Sequence, residues 1–295
     1  MRNPMAPLSE GSIRLKDGRR LAFAESGDPA GVPVIFLHGN PGSRYMRHPD
    51  DSLTYRMGVR LITPDRPGYG LSDFQPNRTL LDCPSDIEQL ANMLGLGRFA
   101  LMGVSAGGPY AAACAWKLGD RLTRVAIVSG AAPFDRPGAM REVNRDYRNA
   151  YTMAGWPEWL LHPLMAAHDR SVRRNPDRAL GALMAHSSPD DRAALSDPAL
   201  AAQVQGWRSE ATRQGVRGMR REARILVSPW GFPLEEIRPE VHLWYWDGDS
   251  IVPPQMGLYL AKRIPRTVAH FMPNGGHFSL FTNWKKILTS LVSEG

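Results

Sequence analysis

The pentapeptide Gly103-Val104-Ser105-Ala106-Gly107 constrains the fold of this chain more than any other segment. It follows an apolar run at residues 99–102 and precedes a stretch of helical composition at residues 108–116. A serine between a buried strand and a helix is typical of a nucleophile elbow, where a sharp turn holds the hydroxyl beside the first amides of the helix. Glycines are expected there because the turn is strained and neighbouring backbone crowds it. A Gly/Ser-rich turn without chemistry is the alternative interpretation.

The distribution of apolar residues predicts an α/β fold. Continuous apolar runs, typical of strands buried on both faces, occur at residues 34–37, 59–62, 99–104, 125–128 and 242–245. Helical stretches separate them, for example residues 85–94, with Ser85 as N-cap and Glu88 completing a capping box, and residues 255–263. Near the N-terminus, residues 12–15 and 20–23 alternate around an Asp17-Gly18 turn. We therefore expect a mostly parallel central sheet covered by helices on both faces, with an antiparallel ribbon at its N-terminal edge.

The strand–helix alternation is interrupted between residues 134 and 230. This segment has no strand-like run, is rich in Ala, Arg, Trp and Met, and contains several proline breaks, which indicates short helices. We predict a helical cap (lid) insertion at residues 134–230 in an α/β core formed by residues 1–133 and 231–295. The segment also contains tryptophans that we expect in the core of the cap, the alternative being an apolar cleft: Trp156, Trp159, Trp207 and Trp230.

Composition restricts the classes of partner. The 295 residues are 43% hydrophobic and 22% charged, with a formal net charge of +7. The basic residues are dispersed and no nucleic-acid recognition motif is present, so no nucleic-acid partner is predicted. No apolar run has the length of a membrane span, and residues 1–11 contain no signal-peptide core, so we expect a cytoplasmic protein without a membrane partner. Cys83 and Cys114 lack metal-ligand spacing, and no metal is predicted. A small-molecule substrate is the expected partner, and a homo-oligomer stays open.

A serine nucleophile requires a base, and the base requires an orienting acid. On a fold of this kind the expected chain order is serine, acid, histidine. Residues 247–253 follow the strand that ends near Trp246, and residues 273–278 follow the apolar strand at 268–272. These segments supply two carboxylates, Asp247 and Asp249, and then His277. Both segments follow the carboxyl end of a strand, the edge where open parallel sheets place their sites.

Five motifs in order make the chain resemble the α/β-hydrolase fold superfamily. They are His38-Gly39-Asn40-Pro41-Gly42, Asp65-Arg66-Pro67-Gly68-Tyr69-Gly70-Leu71-Ser72, the turn at Ser105, Asp249-Ser250-Ile251-Val252-Pro253, and Gly275-Gly276-His277. The resemblance covers nearly the whole chain except the cap segment. It implies a serine-nucleophile member with a helical cap.

The resemblance assigns roles to particular residues. It implies Ser105 as the nucleophile, His277 as general base and acid, and Asp249 as the residue that orients His277. The family's Asp-x-x-Val-Pro spacing selects Asp249, and it leaves Asp247 as a turn residue. One departure is visible: relatives usually have glycine three residues before this aspartate, where the present chain has Trp246.

The same resemblance implies an oxyanion hole formed by the backbone N–H groups of Asn40 and Ala106. The function expected is a serine hydrolase, most similar to carboxylic ester hydrolases (EC 3.1), that cleaves an ester, thioester or amide of a small, largely apolar molecule without a cofactor. A biosynthetic acyltransferase or cyclase and a non-catalytic small-molecule binding protein are the alternatives. A peptidase role is less expected because the chain lacks the His-Gly-Gly-Pro loop of proline iminopeptidases. The natural substrate, the pathway and the oligomeric state are not determined by the sequence.

Overall fold

A computed structural model describes residues 9–293, apart from the side chain of Asp146. The first eight residues, which belong to the segment considered for a signal peptide, lie outside the described residues. The strands are β1 (Ser9–Arg14), β2 (Arg20–Gly27), β3 (Val32–Leu37), β4 (Val59–Pro64), β5 (Phe99–Val104), β6 (Leu122–Val128), β7 (Val241–Trp246) and β8 (Thr267–Met272). They form one sheet in the order β1-β2-β4-β3-β5-β6-β7-β8.

The helices cover the sheet and fill the interval between β6 and β7. They are α1 (Asp51–Arg56), α2 (Cys83–Met93), α3 (Gly107–Lys117), α4 (Ala139–Glu142), α5 (Arg145–Met153), α6 (Glu158–Arg174), α7 (Pro176–Ala185), α8 (Pro189–Leu195), α9 (Pro198–Ala211), α10 (Arg217–Leu226), α11 (Pro254–Arg263), α12 (Ser279–Thr282) and α13 (Trp284–Val292). We refer to α4–α10 as the cap helices.

The sheet has the predicted mixed arrangement. Strand β2 pairs antiparallel with β1 and β4, while β4, β3, β5, β6, β7 and β8 pair with their neighbours in parallel. Gly18, in the turn of the N-terminal ribbon, has a φ of 87°, which explains the glycine of the Asp-Gly signature. The ribbon, the parallel sheet and the inserted cap confirm the fold class predicted from the sequence.

The apolar runs form two cores, one on each face of the sheet. In β3, Ile35 and Leu37 belong to one hydrophobic cluster, and Val34 and Phe36 belong to the other. Side chains alternate between the faces of a strand, so a strand covered on both sides must be apolar throughout. Burying each such side chain contributes about 1.5–3 kcal/mol, which anchors the strand ends that position the site.

The predicted start of the helix at Ser85 is wrong. Helix α2 begins at Cys83, with Pro84 in its first turn, and no side chain caps it. The capping box belongs to the preceding 3-10 turn, Leu80–Asp82, where Thr79 and Asp82 satisfy each other's backbone. Proline is well accommodated at the first turn of a helix, so the helix extends two residues further toward the N-terminus.

The expected tryptophan core of the cap is only partly present. Trp207 and Trp230 are buried, but Trp156 is 38% exposed and Trp159 is 76% exposed. The cap helices are short and wrap a cavity, so they have too little interior to enclose four indoles.

Candidate active site

The turn after β5 holds Ser105 in a strained backbone conformation. Ser105 has a φ of 55°, and its N–H donates to the carbonyl of Val128 at 3.0 Å. A side chain at Gly107 would place Cβ 2.1 Å from the carbonyl oxygen of Leu37, and one at Gly103 would place it 2.4 Å from that of Gly107. Helix α3 therefore starts directly against β3 and β5, as the turn glycines predicted. The left-handed backbone conformation of Ser105 costs about 1–3 kcal/mol of folding free energy.

His277 and Asp249 are joined in the structure. The imidazole Nδ1 of His277 lies 2.9 Å from Oδ2 of Asp249. The other carboxylate oxygen, Oδ1, accepts from the backbone N–H groups of Ile251 at 2.9 Å and Val252 at 2.8 Å. The Asp249 side chain is fully buried, whereas Asp247 is exposed. Of the two candidate carboxylates, the structure brings Asp249 to the histidine.

The surroundings of His277 favour its protonated form. Burial lowers the pKa of the imidazole. The charge and the hydrogen bond of Asp249, together with the charge of Asp191, raise this pKa by more than burial lowers it, so it lies above its ordinary value of 6.5. The Asp249 bond is on Nδ1, which leaves Nε2 as the nitrogen that can exchange a proton with a neighbouring group.

Ser105 and His277 line the same cavity, which has a volume of about 880 Å³. Gly39 also lines it, and a Cβ on Gly39 would lie 3.3 Å from Cβ of Ser105. Within the described part of the chain, the Ser105 hydroxyl and the imidazole are not hydrogen-bonded to each other. Such bonds are often long before a substrate is bound.

Asn40 and Ala106, the residues expected to form the oxyanion hole, both line this cavity. Among residues 9–293, neither N–H has a protein acceptor. The side chain of Asn40 accepts a hydrogen bond from the hydroxyl of Tyr69 through Oδ1, at 3.1 Å. Both backbone N–H groups are therefore free to bind another acceptor.

The peptide unit that carries the Asn40 N–H is held from its carbonyl side. The carbonyl of Gly39 accepts from Nη2 of Arg66 at 3.0 Å and lies 2.8 Å from Nδ1 of His38. Burial and the charge of Arg66 lower the pKa of His38 well below its usual range, so the imidazole is neutral. Its Nε2 accepts from the Arg66 N–H at 3.3 Å, which leaves Nδ1–H to donate to Gly39. His38 and Arg66 therefore brace the loop that carries Asn40.

A family model for the alpha/beta hydrolase fold matches residues 32–283. The chain belongs to the alpha/beta hydrolase fold family. The match includes both segments that meet at His277 and Asp249, as well as the elbow and the cap helices.

Curated relatives of this alpha/beta hydrolase share only part of its length. A proline iminopeptidase from Neisseria gonorrhoeae is 34% identical over 120 residues, 39% of this chain and 38% of the relative. A proline iminopeptidase from Xanthomonas citri is 36% identical over 118 residues, 38% of this chain and 36% of the relative. The matched stretch therefore spans less than half of these relatives.

Solved structures match over nearly the whole chain. A thermophilic esterase from Thermogutta terrifontis covers 96% of both chains with a TM-score of 0.68 and 23% identity. An enol-lactonase from Burkholderia xenovorans LB400 has a TM-score of 0.71 and 18% identity, over 96% of this chain and 100% of the other. At these identities the similarity concerns the fold.

The cap of this hydrolase supplies one contact to the site that the sequence did not reveal. Asp191, at the start of α8, accepts from the backbone N–H of His277 through Oδ2 at 2.9 Å and from that of Phe278 through Oδ1 at 2.7 Å. Asp191 is completely buried. The local signal was Ser188, which caps α8 through the N–H of Asp191, but no spacing within the cap indicates a contact with His277.

Trp246, the departure from the family's pattern, is accommodated by a glycine. The indole is buried, and a Cβ on Gly275, which has a φ of 91°, would lie 2.5 Å from its Cδ1. The absence of a side chain at Gly275 therefore leaves room for the tryptophan beneath the loop that carries His277.

Other expectations concern the cavity wall, metals and membranes. Trp207 and His168 line the cavity, so the cleft alternative holds for one of the four tryptophans. Over residues 9–293, no group of three or more His, Cys, Asp or Glu side chains is arranged to hold a metal ion. In the same part of the chain, no helix has both the length and the apolar character needed to cross a membrane.

Proposed function

We propose that this alpha/beta hydrolase is a serine hydrolase that cleaves an ester, thioester or amide of a small, largely apolar molecule through an acyl-enzyme. The observation that carries the proposal is the 2.9 Å contact between His277 Nδ1 and Asp249 Oδ2, with His277 and Ser105 lining one cavity. In this proposal, Ser105 is the nucleophile, His277 is the general base and acid, and Asp249 is the residue that orients His277.

The proposed reaction uses these groups in turn. Ser105 Oγ attacks the carbonyl carbon while Nε2 of His277 takes the hydroxyl proton, and buried Asp249 stabilises the imidazolium. Negative charge develops on the carbonyl oxygen, where the N–H groups of Asn40 and Ala106 donate; one such donor is worth about 2.7–4 kcal/mol. His277 then protonates the leaving group. A water molecule, deprotonated by His277, attacks the acyl-enzyme and releases the acid.

The elbow, its strain and the unpartnered amides support catalysis over binding alone. A strained serine costs free energy that a binding protein does not need to retain. The lining side chains that support an apolar substrate include Met46, Leu161, Leu183, Val204 and Ile251.

The test is labelling by a fluorophosphonate, which reacts with activated serines. We expect the wild type to be labelled and to hydrolyse short 4-nitrophenyl esters, and Ser105→Ala to lose both. Ser129→Ala is the matched control, because Ser129 also has a positive φ, of 43°, and is buried outside the cavity wall. It should keep both properties. Unchanged turnover in Ser105→Ala would reject the nucleophile.

The curated relatives favour a second candidate, an aminopeptidase. A substrate with a free N-terminal amine is cationic near neutral pH. Among the described residues that line the cavity there is no carboxylate to pair with such an amine. A comparison of prolyl-4-nitroanilide with an uncharged 4-nitrophenyl ester separates the candidates, and we expect the ester to be the better substrate.

A further inference from the structure

The carboxylates and arginines of the protein are unevenly distributed at the cavity wall. Over the described residues, the wall includes Arg178 and Arg208 and no Asp or Glu. Arg178 and His168 are exposed, whereas Arg208 is only partly exposed. A cavity with this wall attracts an anion and disfavours a cation.

Arg208 differs from the buried, paired arginines of the protein because no described residue pairs with it. Arg44 pairs with Asp65 at 2.9 Å, and Arg66 pairs with Glu222. Among the described residues, none forms a hydrogen bond or an ion pair with Arg208, and its Nε is buried without an acceptor. Removing an unpaired charge from water costs free energy, and a ligand of opposite charge that pairs with it offsets that cost.

The acid whose charge acts on Arg208, Asp169, forms its hydrogen bonds elsewhere. Asp169 accepts from Nε of Arg173 at 3.0 Å and from the hydroxyl of Thr212 at 2.5 Å. Burial lowers the pKa of Arg208, with Tyr147 and Asp169 acting in the opposite direction, but a guanidinium stays charged in a protein at any ordinary pH.

Arg208 is also placed toward the substrate. On α9, Val204 lies four residues before Arg208, so the two share one face of the helix, and both line the cavity together with Trp207. The guanidinium is thus set in an apolar wall. One half-buried cation in such a wall is balanced by a single negative charge, so a carboxylate fits better than a dianionic phosphate.

We propose that Arg208 binds a carboxylate of the substrate, so that the protein acts on acyl compounds that carry a free carboxylate in addition to the bond that is cleaved. The guanidinium presents two parallel N–H donors, the geometry that pairs with both oxygens of a carboxylate. This inference rests on the proposed function for the reaction and adds the chemical class of the substrate.

The experiment compares matched substrates. A series of 4-nitrophenyl half-esters of straight-chain dicarboxylic acids is set against the same molecules with the distal carboxylate capped as its methyl ester. For the best chain length, we expect kcat/KM of the wild type to be about 10–100-fold higher for the half-ester, the range of one charge-assisted contact. Arg208→Met should reduce that ratio to about one, and Arg208→Lys should keep part of it.

Arg174→Met is the charge-matched control. It removes one positive charge from an exposed position on α6 that does not line the cavity, so it should leave the ratio as in the wild type. A ratio near one in the wild type, or a ratio that Arg208→Met leaves unchanged, would overturn the assignment of Arg208.

A binding measurement separates this inference from the proposed function. In Ser105→Ala, the monomethyl ester of the best dicarboxylic acid is titrated calorimetrically, and the titration is repeated in Ser105→Ala/Arg208→Met. We expect affinity to fall about 10–100-fold in the double variant. Equal affinity would reject the carboxylate site even if Ser105 is the nucleophile. The two proposals can also fail separately in the other direction. If the double variant binds more weakly but the wild type is neither labelled nor active, the carboxylate site is supported and the hydrolase is rejected.

Discussion

At the scale of single residues, the candidate site depends on which groups are satisfied and which are left free. Asp249 uses one oxygen for two backbone N–H groups and the other for His277. A carboxylate with this many donors is held in one orientation, and it fixes the ring of His277 in turn. The N–H groups of Asn40 and Ala106, by contrast, have no protein acceptor among the described residues. The fixed groups hold His277, and the free N–H groups belong to two residues that line the cavity.

The net rise in the pKa of His277 predicts the acid limb of the pH profile. Only the neutral imidazole can accept the Ser105 proton, so activity is lost as pH falls through the pKa of His277. Since Asp249 and Asp191 outweigh burial, kcat/KM should begin to fall at a pH above the ordinary histidine value of about 6.5. The pH dependence of kcat/KM for an uncharged ester measures it. A limb well below pH 6 would contradict this electrostatic balance.

At the scale of elements, helix α8 and the loop that carries His277 act as one unit. The two oxygens of Asp191 hold two consecutive backbone N–H groups, and Asp190 accepts from Gly275 at 2.8 Å. The distance in sequence between Asp191 and His277 is 86 residues, so a cap helix fixes the position of a core side chain. A movement of α8 would therefore move the imidazole relative to Ser105.

Asp191→Asn tests this positioning role. The amide can accept from only one of the two N–H groups and leaves the other unpaired, a penalty of about 1–3 kcal/mol. The variant also removes a negative charge that raises the pKa of His277, so the acid limb of kcat/KM should move to lower pH while kcat falls. The pH profile is the decisive readout because a purely structural loss would leave the limb in place.

Asp190→Asn is the control on the same helix. Asp190 is exposed and accepts from the N–H of Gly275 and not from that of His277, so this variant should shift the limb less and keep more activity. Equal shifts in both variants would show that the charge of α8 as a whole, and not the buried pair of bonds, acts on His277.

Features that depend on neighbouring residues could be predicted from the sequence, whereas contacts between distant segments could not. Strand β5 was predicted at its observed bounds because a strand buried on both faces is recognisable from consecutive apolar residues. The start of α2 was missed because two capping patterns overlap, and Thr79 and Asp82 use theirs one turn earlier. Asp249 and His277 meet, as their positions after β7 and β8 indicated. Asp191 and Arg208 could not be found, because their surroundings come from distant segments that no local spacing encodes.

At the scale of the whole molecule, buried charges join the cap helices to the core. Glu222 on α10 is fully buried and accepts from Nε of Arg66 at 2.8 Å and from Arg78 at 3.3 Å. Arg66 in turn holds the carbonyls of His38 and Gly39. Arg66 therefore contacts both the cap, through Glu222, and the peptide that carries the Asn40 N–H. The same cluster of buried charges thus affects the stability of the fold and the shape of the site.

Glu222→Gln should destabilise the protein strongly, because it leaves two buried arginines without a counter-charge. Breaking a buried pair in this way costs about 3–5 kcal/mol. The matched control is Glu235→Gln, which removes a surface pair with Arg263 whose side chains are both 48% exposed, and an exposed pair is worth about 0–1 kcal/mol. Urea unfolding followed by tryptophan fluorescence gives both values.

Since Arg66 would lose the partner that orients it, Glu222→Gln should also lower kcat for the ester in the folded protein, and Glu235→Gln should leave kcat unchanged. Similar free energies of unfolding in the two variants would mean that water or another group already compensates the arginines, and that the cap and the core are joined by apolar packing alone.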